Sequence, residues 1–476
     1  MNNPNIIFIF ADDMGYGDVG CYNPESRIPT PNMDRLAERG MQFTDAHAGS
    51  AVCTPSRYAL LTGRYCWRTA LQSGVFFNWE KPLIEKDRPT IGIILQTAGY
   101  NTACIGKWHV GLEFPLKPDA NIDLDKQWPW YAGPDPDPTV GKAIDFSKPC
   151  TGGPTELGFD YAFFTAGCST DQEPYCYIEN DRFTNMDSPV YRRPEGSWRS
   201  GIGSPQWDNK MVDIDFTTRA ESFISDHMSQ KKDNPFFLYL ALSAPHSPHF
   251  PPDLVAGKSD AGTRGDLVCL VDWSVGRVMD ALDQHNIADN TLIIVSSDNG
   301  PLPGSTPNPG DPERAGQIDN GHMSAGKPRG YKGMIYDGGH REPFIARWPN
   351  AIKAGLVCND LVCLTDMFAT FADIVGEHHN KGGEDSISIL PSLLSKENPD
   401  KRTSLINHSG RGVFALRTPD WKLVHETKGN GKTPAEEDSP GQLFNMREDW
   451  TEQQDLWDNE IRHELVHTIK NEISCQ

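Results

Sequence analysis

Asn5-Ile6-Ile7-Phe8-Ile9-Phe10-Ala11-Asp12-Asp13 is an unbroken apolar run that stops on two carboxylates. Branched and aromatic side chains at consecutive positions suit a strand buried on both faces, as in the centre of a parallel sheet. Phe236-Phe237-Leu238-Tyr239-Leu240-Ala241-Leu242 and Thr291-Leu292-Ile293-Ile294-Val295-Ser296-Ser297 have the same texture. Helical spacing lies between them. Residues 31–39 read as a helix capped by Thr30. In residues 266–284, Leu267, Leu270, Val271, Val275, Val278 and Leu282 fall on one face. Strands alternating with helices predict an α/β fold, a large and mostly parallel sheet sandwiched by helices. Each apolar run ends in polar residues: Asp12-Asp13, Pro245-His246 and Asp298-Asn299. Open α/β sheets bind ligands at the carboxyl ends of their strands, so these pairs are expected to converge.

The rest of the chain bounds the problem. Its 476 residues allow two or three domains. With 37% hydrophobic and 23% charged residues, a packed core is expected rather than disorder. Basic residues number 44 and acidic ones 65, a formal charge of −21. That balance argues against nucleic acid and against an anionic membrane surface as partners, although a local basic pocket can still take a small anion. No run approaches the length needed to span a bilayer. The first ten residues lack a basic segment followed by a long apolar one, so the expectation is a cytoplasmic protein if the chain is complete and a periplasmic or secreted one if a leader was removed. Eleven cysteines with no CxxC pair suggest neither a disulfide scaffold nor a zinc cluster.

Residues 128–203 are rich in Gly, Pro, Asp and aromatics and read as long loops, as do residues 300–330. Residues 361–375 read as a helix closed by Gly376. Beyond Lys381-Gly382-Gly383 the texture changes to short strands at 413–417, 421–425 and 441–445, with a turn at Thr418-Pro419-Asp420 and a polar helix near 459–473. The expected division is therefore a catalytic domain over 1–383 and a smaller C-terminal α+β subdomain over 384–476, carrying an antiparallel sheet.

Cys53-Thr54-Pro55-Ser56-Arg57 followed by Leu60-Leu61-Thr62-Gly63-Arg64 is the strongest local signal. Thr54 suits a cap, Pro55 an early helical position and Gly63 a helix end. Cys53 would then sit at a helix N-terminus, where an anion is favoured, with Arg57 one turn on. Asp12, Asp13, Asp298 and Asn299 supply only oxygen ligands, which suits Ca²⁺ or Mg²⁺ rather than zinc; each pair alone equally suits a cap or a turn. Gly106-Lys107-Trp108-His109 places Lys107 and His109 two apart, on one side if extended. Alone, these two residues, His246 and Lys332 read equally well as solvated lysines and core histidines.

Together these residues resemble the type I sulfatases of the alkaline-phosphatase-like superfamily. The signature lies at 53–57 and 61–64. Supporting matches are Asp12-Asp13-Met14-Gly15-Tyr16-Gly17-Asp18, Gly106-Lys107-Trp108-His109, Ser297-Asp298-Asn299-Gly300, Lys332-Gly333 with Tyr336-Asp337-Gly338-Gly339 and Arg341-Glu342-Pro343, and Leu416-Arg417 with Trp421-Lys422-Leu423-Val424. The resemblance implies that a maturation enzyme oxidises Cys53 to formylglycine, hydrated to a diol that attacks sulfur. It implies that Asp12, Asp13, Asp298, Asn299 and residue 53 hold a metal ion, usually calcium. It gives Arg57 and Lys107 the diol and the sulfate oxygens, His109 the proton of the diol, and His246 and Lys332 the sulfate and its bridging oxygen. Ser169 resembles a sulfate-pocket serine.

The substrate class expected is a sulfated carbohydrate attacked from its end, with an aryl sulfate of broad type as the alternative. A phosphate or phosphonate monoester hydrolase of the same fold is the rival within the superfamily; Lys107 and Lys332, standing where a second metal would sit, favour sulfate. A sugar-binding protein without catalysis is a further alternative. The loop aromatics Trp128, Trp130, Tyr131, Tyr175, Tyr177, Trp198 and Trp207 are candidate sugar platforms, though such rings also pack loops onto their own core. His249, His322 and Arg329 are candidates for substrate hydroxyls or carboxylates.

Overall fold

A computed structural model describes residues 3–77, 79–124, 138–302, 319–377, 381–425 and 441–474. Trp128, Trp130 and Tyr131 lie outside them. The centre of the molecule is a ten-stranded sheet. In chain order its strands are β1 (Asn5–Ala11), β2 (Met41–Phe43), β3 (Asn101–Lys107), β4 (Tyr161–Thr165), β5 (Ile178–Glu179), β6 (Arg182–Phe183), β7 (Phe236–Ala241), β8 (Thr291–Ser297), β9 (Phe344–Arg347) and β10 (Leu356–Cys358). Spatially they run β10-β2-β9-β8-β1-β7-β3-β4-β5-β6. The five strands from β8 to β4 are mutually parallel, and antiparallel partners flank them on both sides.

The alternation of β1 explains why the sheet is covered twice. Ile6, Phe8 and Phe10 enter one core with α2 (Cys53–Thr62), α3 (Ile91–Thr97) and α6 (Met367–Val375). Ile7, Ile9 and Ala11 enter a second core with α1 (Pro31–Glu38), α4 (Val212–Gln230) and α5 (Gly262–Gln284). A strand buried on both faces has no polar side to alternate, which is why its sequence is continuously apolar.

Several expectations shift. Helix α5 begins before Asp266, at Gly262, and the Asp266 carboxylate accepts the backbone N–H groups of Gly257 and Ser259. In residues 361–375 only Met367–Val375 is α-helix. Val362–Cys363 pairs with Ala46–His47, and Asp366 ties down the turn between by accepting the Cys363 N–H at 2.8 Å. Gly376 closes the helix at φ 72°, as its type predicts. The loop-like stretch 128–203 contains β4, hidden in the sequence by its length of five residues. The C-terminal sheet has four antiparallel strands rather than three: β11 (Leu405–His408), β12 (Phe414–Arg417), β13 (Trp421–His425) and β14 (Gln442–Asn445). β11 carries only two apolar residues, too few for a period. Helix α7 (Arg462–Ser474) packs on this sheet through Leu465 and Ile469. Among the described residues no helix is long and apolar enough to cross a membrane. The ten described cysteines are all free.

Gly106 shows how tightly the sheet fixes the path of the chain at its carboxyl edge. Its φ is +120°, and a Cβ there would stand 1.8 Å from the Ala241 carbonyl oxygen on the neighbouring strand. Gly106→Ala is expected to cost at least about 3 kcal/mol, because strain and a backbone clash combine. Chemical denaturation measures it; a variant within about 1 kcal/mol of wild type would show that β3 can move away from β7 there.

Candidate active site

The strand ends converge as the α/β rule requires. In register, Ala11 of β1 lies beside Ser297 of β8, so the next residues, Asp12 and Asp298, emerge side by side. Ala241 of β7 pairs with Gly106 of β3, which delivers Lys107 to the same point. Asp13 turns back with φ 68° and His109 with φ 58°. The latter means Lys107 and His109 are not two residues of one extended face; a left-handed residue after the strand brings both inward.

Three cations meet three carboxylates beside one cavity, which Lys332 lines. Lys107 Nζ donates to Asp12 at 2.6 Å. Lys332 Nζ donates to Asp13 at 2.8 Å. Arg57 donates from Nε and Nη2 to one oxygen of Asp298, at 3.1 and 2.9 Å, and from Nη1 to the Lys107 carbonyl at 3.0 Å. Burial would raise the Asp12 carboxyl, but Lys107, His246, Arg57 and Lys332 together hold it well below the usual range. Burial would lower the Lys107 ammonium, but Asp12, with the thiols of Cys168 and Cys53, carries it above its ordinary value.

Cys53 is the first residue of α2, with Val52 as cap, so the cap lies two residues before the Thr54 expected; the Thr54 hydroxyl accepts the Phe76 N–H at 3.0 Å. The thiol of Cys53 lies 3.6 Å from Asp12 Oδ1. Ligand atoms of Asp12, Asp13, Cys53 and His246 all fall within 4.8 Å of one another. Asn299 donates from Nδ2 to Asp13 at 2.7 Å, which leaves its Oδ1 buried with no hydrogen-bond partner. An unpaired amide oxygen beside three carboxylates is the donor set a hard divalent cation takes.

The two histidines differ in what they can do. His109 Nε2 contacts the Phe76 carbonyl at 2.7 Å, so it carries the proton and Nδ1 is left as the acceptor. Burial, then Lys107, pushes His109 down to about 4, so the ring is neutral at ordinary pH. A bound cation would push it the same way. His246 Nδ1 donates to the Ser247 carbonyl, and its Nε2 lies 3.7 Å from Cys168 Sγ and 3.9 Å from Asp13.

A cavity of about 300 Å³ opens over this floor, lined by Cys53, His109, His246 and Lys332 below and by Phe77, Trp198 and Arg199 among its walls. The structure thus brings together Asp12, Asp13, Cys53, Arg57, Lys107, His109, His246, Asp298, Asn299 and Lys332.

Other sequence candidates stand elsewhere. Trp207 is buried, donates to Asn209 at 2.8 Å and packs on Tyr177 with centroids 4.9 Å apart; a ring so enclosed supports a loop rather than a sugar. His322 is buried and bonded to Asp18 at 2.9 Å, in a cluster with Arg264. Arg329 lies 3.9 Å over the Tyr336 ring and donates to the Glu452 carbonyl. Ser169 shares a hydrogen bond with Thr165 at 2.7 Å, and its neighbour Cys168 faces the cavity in its place. His249 is half-buried and lines no part of the cavity. Cys168, Asp171, Gln172, Arg199 and Arg411 line it without having been singled out. The first three lie just beyond the end of β4, so the rule that found Asp12 and Asp298 would have found them had that strand been legible.

The Sulfatase family matches residues 4–377. The chain belongs to the sulfatase family. It is similar to the N-acetylgalactosamine-6-O-sulfatase of Bacteroides thetaiotaomicron, 33% identical over 459 residues, which takes in 88% of this chain and 82% of the relative. It is similar to human arylsulfatase A, 31% identical over 90% of this chain and 76% of the relative. Among solved structures it is similar to a 6S-sulfatase studied for glycosaminoglycan metabolism by Bacteroides thetaiotaomicron, with TM-score 0.83, 30% identity and full coverage of both chains. The sulfatase is therefore a sulfuric ester hydrolase of alkaline-phosphatase-like architecture.

This sulfatase's floor depends on Arg57 for its charge balance. Arg57→Met is expected to lower the unfolding free energy by about 2–4 kcal/mol, since it removes both guanidinium N–H donors from the buried Asp298 carboxyl. Urea denaturation of the variant checks it, and wild-type stability would show that Asp298 is neutral in the folded protein.

Proposed function

We propose that this sulfatase removes sulfate from the end of a sulfated carbohydrate. The observation that carries this reading is the cavity: it is about 300 Å³, the low end of what a small-ligand site needs, with the charged floor at its base. Such a space suits one sugar ring entering sulfate first. The bacterial relative's name makes 6-O-sulfated N-acetylgalactosamine the first substrate to try.

Asp12 and Asp13, which cluster with Cys53 and His246, and the unpaired Asn299 oxygen fit a divalent cation, calcium or magnesium, and Asp298 beside them would complete the set. When bound, such an ion stabilises negative charge on a coordinated oxygen. Conversion of Cys53 to formylglycine by a separate maturation enzyme would supply the nucleophilic oxygen. The chain's own residues then have distinct tasks. Lys107 and the other cations around Asp12 keep it ionised, and Arg57 and Lys107 add positive charge where the sulfuryl oxygens gather. His109 presents a neutral Nδ1 beside position 53 and takes a proton there. His246, with Nε2 facing the cavity, donates a proton to the departing sugar oxygen, and Lys332 is the second candidate for that donation.

The same geometry weighs against a dinuclear phosphatase. Besides the floor, the described residues contain one further grouping of suitable donors, His47, Asp337 and His340. Lys422 Nζ already sits 2.7 Å from Asp337 there, so the position is held by a cation.

Sulfate release from 6-O-sulfated N-acetylgalactosamine, other monosulfated sugars and nitrophenyl sulfate, compared with phosphate release from nitrophenyl phosphate, tests the reading. The sugars are expected to lead and the phosphate to trail; a preference for the phosphate ester overturns it. Cys53→Ser is expected to keep the fold and reduce multiple turnover by at least about three orders of magnitude. Unimpaired turnover would exclude an aldehyde cycle. Calcium added to chelated protein is expected to raise Tm, because the ion binds only the native state, and Asp298→Ala to remove that rise. Full activity with an unchanged Tm in chelator would contradict a metal at this site.

A further inference from the structure

Arg199 projects into the cavity from a loop, one residue after Trp198, and it is held there from two directions. Its Nη1 donates to both the carboxylate and the backbone carbonyl of Asp171. Its guanidinium lies 4.8 Å over the Phe77 ring. The side chain is 21% exposed against 6% for Asp171, so the arginine and not its partner meets whatever fills the space. Among the described residues no hydrogen bond from Nε or Nη2 is seen. These two N–H groups form a planar fork with fixed spacing.

We infer that Arg199 is a specificity-determining residue, donating from Nε and Nη2 to hydroxyl oxygens of the sulfated sugar, with Asp171 and Phe77 as its positioning residues. This rests on the carbohydrate reading above. The charge balance selects hydroxyls over a carboxylate. Asp171 already neutralises the guanidinium, and pairing a second carboxylate with it would leave a net negative charge in a half-enclosed space. Neutral oxygens gain the donors without that cost. A rigid fork also discriminates well, since a sugar lacking the hydroxyl leaves two desolvated donors unpaired. Trp198 lines the same wall and offers an apolar surface to the C–H face of the ring.

The test compares kcat/KM for a sulfated monosaccharide with kcat/KM for nitrophenyl sulfate, which has no sugar hydroxyl. Arg199→Gln and Arg199→Lys are each expected to lower the ratio of the two by about ten- to a hundredfold, from hydrogen bonds to a charged group. Lysine keeps the charge without the fork, so a ratio restored by Arg199→Lys overturns the inference. An unchanged ratio in Arg199→Gln overturns it as well. If a variant fails to fold, the wild type decides alone. Monodeoxy versions of the sulfated sugar should include one that loses about ten- to a hundredfold, and a series with no such member overturns the inference. A wild type that prefers uronate-bearing sulfated disaccharides over neutral ones through Arg199 overturns the hydroxyl assignment. A wild type active on nitrophenyl sulfate and on no sulfated sugar sinks the carbohydrate reading, and the inference with it. Sugar turnover that is indifferent to Arg199 sinks the inference alone.

Discussion

Three carboxylates and three cations meet at one point, all but Lys332 with almost no exposure: Asp12, Asp13 and Asp298 against Lys107, Lys332 and Arg57. Any one of them alone would be prohibitive to bury. Together they are tolerable because each cation lies within hydrogen-bonding distance of its partner. That proximity is not local in sequence. It comes from the register of β1 against β8 and of β7 against β3, which sets Asp12, Asp298 and Lys107 at adjacent strand ends. The sheet is therefore a device for bringing like charges closer than they would stay in water, with an amide oxygen left over. The cation and anionic ester proposed for the site would complete it; neither would fit a floor whose charges were already scattered.

The C-terminal sheet belongs to this construction. Asn407, on β11, donates to the Ala48 carbonyl at 2.6 Å, and the Ala51 N–H reaches the His408 carbonyl at 3.1 Å. Ala51 in turn accepts from Gly333 at 2.7 Å, and Gly333 accepts from Gly410 at 3.1 Å. The strand that enters α2 at Cys53 and the loop that carries Lys332 are thus stitched together by a segment more than seventy residues farther along the chain. Beyond it, Lys422 lies between Asp337 and Glu452, 2.7 Å from each, and locks β13 to the loop after Lys332. Burial pushes Glu452 up to about 7 even with Lys422 beside it, which shows how dry that junction is. The motif around Lys422 is then understood as a clamp on the loop of Lys332 rather than as chemistry.

Legibility in the sequence divides along the same line. The apolar runs of β1, β7 and β8 announce themselves because burial on both faces forbids polar residues, and their polar terminations point at the site. The sulfatase signature adds Cys53 and Arg57. β4 escaped because it is short and set among loop residues, and β11 because it is short and only half apolar; with β4 went Cys168, Asp171 and Gln172. Trp207 and His322 misled for a related reason: an aromatic or histidine in a Gly- and Pro-rich stretch has the same composition whether it faces a ligand or packs its own loop. Only the contacts of Trp207 with Tyr177, and of His322 with Asp18, separate the two cases.

Floor and wall answer to different constraints. On the floor every charge is neutralised by a specific neighbour, so altering one residue strands another, and the geometry admits little variation. On the wall, Arg199 and Trp198 come from a loop and Arg411 from the turn after β11, where backbone hydrogen bonding leaves the side chains freer to change. On the function proposed for it, a charge-balanced floor would recognise the sulfate and perform the cleavage but see almost nothing of the sugar. Discrimination among sulfated sugars must then reside in the wall, and most strongly in donors already held in place before the ligand arrives. Arg199, braced by Asp171 and Phe77, meets that requirement, because little of its freedom remains to be lost on binding.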